Sequence, residues 1–158
     1  MIKLDRIDQK ILTLIQERAD ISLAELSENV ALSQTPCWKR IQKLEAAGVI
    51  VGRVAILAPE KIGLGITVFV SIETADHSSA WLKRFAQAIS NMPEVMEFYR
   101  MAGDIDYMLR VVVEDMAAYD AFYKRLIDQF ALKNVSSRFA MERIKSTTAY
   151  RIPASVIT

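Results

Sequence analysis

The chain has 158 residues, 52% of them hydrophobic, with 20 basic and 19 acidic side chains and a net charge of +1. That much apolar material excludes a disordered chain and is enough for one domain or two small ones, and the charge balance means that a nucleic-acid partner must be met by a local basic face. A single cysteine forms no intrachain disulfide and no zinc site by itself, and no run approaches ~20 apolar residues, so the expected protein is cytoplasmic and has no membrane partner.

From Leu4 to about Gly48 the apolar spacing is helical. Ile7, Ile11, Leu14 and Ile15 share one face behind Asp5 as a cap. Leu23, Leu26 and Val30 share another behind Ser22, with Glu25 placed for a capping box. After the break "ALSQ", a third helix runs through Cys37, Ile41 and Leu44 and stops at Gly48. Three short helices with a tight turn between the last two outline a helix-turn-helix over residues 1–52.

The period then changes. "VIVGRVAIL" reads as a strand or hairpin wing, and the connector through 53–65 carries Pro59, Gly63 and Gly65. "ITVFVSIET" is a strand by its β-branched content, and a helix follows with Trp81, Phe85, Ala88, Ile89 and Met92 in one stripe. "EVMEFYRM" and "DYMLRVVV" are strands separated by "AGDI". A helix bearing Tyr119, Phe122, Tyr123, Leu126, Ile127 and Phe130 precedes a last strand from about Val135 to Thr147. The fold class is therefore α+β: a winged helix-turn-helix, then a ferredoxin-like β-α-β-β-α-β domain over 66–158. Both faces of "YMLRVVV" are largely apolar, and two helices cover only one face of a four-stranded sheet. The other face calls for a second copy. A twofold dimer pairs two third helices at the spacing of DNA half-sites, about 34–36 Å or a multiple of it.

On a helical wheel Cys37, Ile41 and Leu44 fall together, Thr35, Lys39, Gln42 and Lys43 lie opposite, and Trp38 and Arg40 flank them. Between Ser33 and Arg53 four cations (Lys39, Arg40, Lys43, Arg53) face one anion, Glu45. Phosphates attract such a face through counterion release. The helix start, Ser33, Gln34 and Thr35 before Pro36, offers free N–H groups to a phosphate and two short side chains to base edges. The candidate DNA-facing set is Ser33, Gln34, Thr35, Trp38, Lys39, Arg40 and Lys43. Taken alone, a basic stripe is a solvated face and Trp38 a packing residue; the helix-turn-helix context is what turns the reading toward double-stranded DNA. Cys37, on the apolar side, reads as a small buried hydrophobe.

In order along the chain, "LDRIDQKIL", "AELSENVALS", "CWKRIQKLEAAGVI", "LAPEKIGLG", "MPEV", "GDIDYMLRV" and "IKSTT" resemble the Lrp/AsnC (feast/famine) transcriptional regulators. "TPCWKR", "MAGDIDY", "FYKRL" and "FAME" are similar to a cysteine-responsive, DecR-type branch. The resemblance implies a homo-oligomer, a dimer assembling further toward an octamer. It also implies a small amino-acid effector, L-cysteine by the branch likeness, bound where dimers meet around "AGDIDY". An amino-acid zwitterion needs donors for its carboxylate and acceptors for its ammonium. Gly103 allows close approach to backbone N–H groups, Asp104 and Asp106 offer acceptors, and Thr147 and Thr148 offer hydroxyls. With Tyr107 these are the effector candidates the resemblance implies; by spacing alone Gly103-Asp104 is an ordinary hairpin turn.

No enzyme is expected. The one histidine, His77, sits in a polar turn, and phosphate-loop, Rossmann, HExxH and CxxC patterns are absent. Asp104 and Asp106 are too few ligands for a metal site, and no other cofactor is implied. The competing reading is an amino-acid sensor or assembly module without DNA binding.

Overall fold

The structure is a computed structural model describing residues 3–157. It divides into two compact units: the residues up to Ile56 together with those from Lys145 onward, and Leu57–Ile144.

The first unit holds helices α1 (Arg6–Glu17), α2 (Leu23–Asn29) and α3 (Gln34–Ala46). Asp5 caps α1, its Oδ1 accepting the Ile7 and Asp8 amides at 2.8 Å each, while Asp8 accepts the Asp5 amide at 3.2 Å. Ser22 caps α2 by accepting the Glu25 amide. The expected capping box is only half made there, because the Glu25 carboxylate pairs with Arg18 instead. Ile11, Leu12, Ile15, Leu26, Val30, Cys37, Ile41 and Leu44 close the core between the three helices. α3 ends in a Schellman pattern: the Val49 amide donates to Leu44 O and the Gly48 amide to Glu45 O, both at 2.9 Å, with Gly48 at φ +68°. The turn between α2 and α3 repeats that pattern with Leu32 on Ser27 and Ala31 on Glu28. Here the left-handed position is held by Ala31, at φ +55°.

Two expectations change in this unit. Residues 51–58 lie in no strand among the described residues, and Val51, Val54 and Ile56 are 95%, 80% and 74% exposed. A strand exists only against a partner, and no described residues pair with this segment. The chain end also joins the helical unit rather than the sheet. Leu4 bridges Ile157 in parallel, its amide reaching Val156 O at 2.9 Å. Gln16 clasps the Tyr150 backbone from both sides, accepting its amide at 2.7 Å and donating to its carbonyl at 3.3 Å. Ile152 and Val156 pack on the helical core.

The second unit runs β1 (Ile66–Glu73), α4 (Ser79–Ser90), β2 (Val95–Arg100), β3 (Tyr107–Val113), α5 (Met116–Gln129), β4 (Asn134–Phe139). A 3-10 turn at Pro59–Ile62 precedes it. The sheet is antiparallel in the order β2-β3-β1-β4, the ferredoxin-like arrangement expected. Period-two alternation sends Val68, Val70 and Ile72 of β1 and Leu109, Val111 and Val113 of β3 toward the helices, where they meet Trp81, Phe85, Phe122 and Leu126. The opposite face is more polar than "YMLRVVV" suggests. Phe69 and Val112 share it with an Arg110–Glu97 ion pair at 2.7 Å and with Arg138, which donates to Ser71 Oγ at 2.8 Å. β4 ends at Phe139, not near Thr147. Its partner β1 begins at Ile66, so after the Ala140 amide bonds Thr67 O the ladder has no further rung.

Candidate nucleic-acid interface and effector loop

The roll of α3 is set by Cys37, Ile41 and Leu44, all buried. Burial pushes the Cys37 thiol up against a weaker opposing pull from Arg40, which keeps it a protonated, unreactive packing group. With that side fixed, Ser33, Gln34, Thr35, Lys39 and Lys43 are exposed. Ser33 is the N-cap residue, yet its hydroxyl makes no cap hydrogen bond, so the first-turn amides stay open. Lys39 and Lys43 have no carboxylate partner among the described residues. Trp38 is 51% exposed and lines a cleft of about 180 Å³ with Ile15, Ile21, Leu23 and Leu26.

Arg40 stands apart from the other predicted DNA-facing residues. Its guanidinium donates to Asp5 Oδ2 at 2.6 Å and to Asp8 Oδ1 at 2.7 Å, and it bolts α3 to the start of α1. Burial pushes the Asp5 carboxyl up, but the Asp8 amide, Arg40 and the Ile7 amide outweigh it and hold it below the usual carboxylate range. Arg53 is also answered, by Glu45 Oε1 at 3.2 Å. Of the four cations around α3, two are therefore paired internally and two have no carboxylate partner among the described residues.

The hairpin loop between β2 and β3 carries the effector candidates. Gly103 sits at φ +127°, and Asp104 is exposed with no side-chain partner among the described residues. Asp106 is engaged structurally: its Oδ2 accepts the Thr74 amide at 2.8 Å and its own amide donates to Ile72 O at 2.9 Å. His77 Nδ1 lies 3.6 Å from its other oxygen. Tyr107 is buried among Phe85, Phe98 and Trp81, with ring centroids 5.1 to 6.0 Å away, and burial raises its hydroxyl pKa. Thr147 and Thr148 are exposed in the irregular segment grouped with the helical unit, so the six candidates do not gather within one unit. Among the described residues no group of three or more His, Cys, Asp or Glu is arranged to hold a metal, and no helix is long and apolar enough to cross a membrane.

Residues 4–51 match the family described as winged helix-turn-helix DNA-binding, and residues 67–150 match the Lrp/AsnC ligand binding domain. The chain is 53% identical over 150 residues to the DNA-binding transcriptional activator DecR of Escherichia coli K12, covering 94% of this chain and 99% of that protein. The crystal structure of an AsnC family transcriptional regulator from Agrobacterium tumefaciens superposes with a TM-score of 0.90 at 57% identity, over 96% of this chain and 98% of that one. A transcriptional regulator from Neisseria meningitidis, solved as an L-Met complex, does so with a TM-score of 0.89 at 34% identity, over 94% and 96%. Fold and relatives together define transcriptional regulators that join a DNA-binding helical unit to a ligand-binding sheet unit, and not enzymes. The chain belongs to the Lrp/AsnC family.

Proposed function

We propose that this chain is a sequence-specific DNA-binding regulator whose operator affinity responds to a small amino acid. The observation that carries this reading is the pair of unpaired ammonium groups, Lys39 and Lys43, beside an open helix start on a helix whose roll its buried face has already fixed. In this reading Lys39 and Lys43 take phosphates, Ser33 and the first-turn amides a third phosphate, and Gln34 and Thr35 reach base edges. Trp38 borders the backbone on the flank. Arg40 acts through α1, holding α3 at its angle rather than meeting DNA.

The chain works as a twofold dimer that assembles further, toward an octamer, in the cytoplasm where its DNA lies. The effector site forms at interfaces between copies, with Gly103 and Asp104 at its centre and Asp106 and Tyr107 fixing the loop from behind. Thr147 and Thr148 add hydroxyls to such a site. L-cysteine is the first effector to try, by the branch likeness; that a relative was solved with L-Met supports an amino acid of some kind.

Fluorescence anisotropy with the intergenic DNA beside the gene tests the first half: binding that weakens steeply with salt is expected, and none at any salt refutes it. Calorimetric titration with the twenty amino acids tests the second. Heat with L-cysteine that is lost in Asp104→Ala is expected, and no heat with any amino acid removes the effector reading.

A further inference from the structure

We propose that Glu45 is a positioning residue for base readout: it fixes the amide of Gln42 so that the carbonyl end faces outward and reads adenine at one position of each half-site. The proposal rests on the DNA-binding reading above. Thr35, Lys39 and Gln42 follow one another at i, i+4 and i+7 along the exposed side of α3. A free glutamine amide turns either end to a ligand, and so discriminates poorly between a donor and an acceptor. Gln42 is not free. Its Nε2 donates to Glu45 Oε2 at 2.9 Å, and the other carboxylate oxygen holds Arg53 at 3.2 Å.

The sign of this contact decides the reading. A carboxylate accepts only, so it takes the NH2 end of Gln42 and turns away the carbonyl. Oε1 is left for a partner that donates, with the second N–H of Nε2 beside it. In the major groove adenine N6 and cytosine N4 donate, whereas guanine N7 and O6 and thymine O4 accept. Only adenine offers a donor with an adjacent acceptor, N7, matching the fixed amide in both directions. Glu45 has a second effect through the same two oxygens. It withholds the Arg53 charge from the phosphates, which lowers sequence-independent affinity and leaves a larger share of binding to base contacts.

The test uses the full chain and duplexes that it selects from a randomised pool, each position then replaced by the other three bases. The unaltered chain is expected to prefer adenine over guanine or thymine roughly tenfold at one position per half-site. Gln42→Ala erases that preference without changing the salt dependence. Glu45→Ala erases it with Gln42 still present, and steepens the salt slope by about one unit per protomer as Arg53 is released. Glu45→Gln, whose amide offers Gln42 a donor as well as an acceptor, weakens the preference and steepens the slope. Melting temperatures close to the parent's confirm that each variant is folded. Base preferences untouched by Glu45→Ala, or a Gln42-dependent preference for guanine or thymine, overturn this proposal alone; no DNA binding by the unaltered chain overturns it along with the regulator reading.

Discussion

Lys39 and Arg40 are sequence neighbours of the same charge, and the fold gives them opposite work. Lys39 points to solvent alone, while Arg40 meets two carboxylates, one of them on Asp8, whose side chain is 6% exposed. Removing the guanidinium leaves that buried charge with the Asp5 amide as its remaining partner. Arg40→Ala is therefore expected to destabilise the chain by about 2–3 kcal/mol, at the lower end for a buried pair because Asp5 is partly solvated. Thermal melts check this; Lys39→Ala should leave the melting temperature unchanged and reduce the salt slope instead. The depressed Asp5 carboxyl adds a pH signature. Its contribution is present above the ordinary carboxylate range and is lost as pH falls through the folded-state value, so the helical unit should loosen in acid less steeply in Arg40→Ala than in the parent. The wheel placed Arg40 correctly on a flank of the helix. The wheel could not show Asp5 and Asp8, because 35 and 32 residues separate them from Arg40 and only the packing of α1 on α3 brings them there.

At the level of elements, sequence succeeds where the signal is local and fails where it depends on a partner. The three N-terminal helices and the succession of strands and helices in the sheet unit follow from periodicity, caps and β-branched runs, each signal contained within one element. The wing at 51–58 and the far half of the last strand look the same by composition. Neither is paired among the described residues, because a strand is a property of a pair: the first has no partner there and the second outruns β1. The turn between α2 and α3 gives another element-scale expectation. Ala31 occupies the left-handed position of a Schellman end that glycine normally fills, at a cost of about 1 kcal/mol. Ala31→Gly should raise the melting temperature by a few degrees; a fall would mean that the gain in unfolded-chain entropy outweighs the relieved strain.

For the whole molecule, the division into units crosses the sequence order. The chain passes from helices to sheet and then returns, so the residues after Lys145, which periodicity assigned to the sheet domain, stabilise the helical one. Ending the chain at Ala149 removes the Gln16 clasp, the Leu4–Ile157 bridge and the Ile152 and Val156 contacts. Calorimetry on that variant should show the helical unit melting earlier while the sheet unit keeps its transition. The effector candidates were the least legible part. Gly103 and Asp104 are visible as a turn, but a ligand loop and an ordinary hairpin turn share the same residues, and neither is marked by a period. The central claim is that two free lysines on each α3 meet phosphates. In a twofold dimer they make four contacts, which predicts an affinity slope of at least about −3.5 against the logarithm of salt concentration. Measuring that slope for the full chain and for the double variant Lys39→Ala, Lys43→Ala tests the claim most directly. The slope should lose nearly all of this contribution while the fold is retained; an unchanged slope would contradict the account.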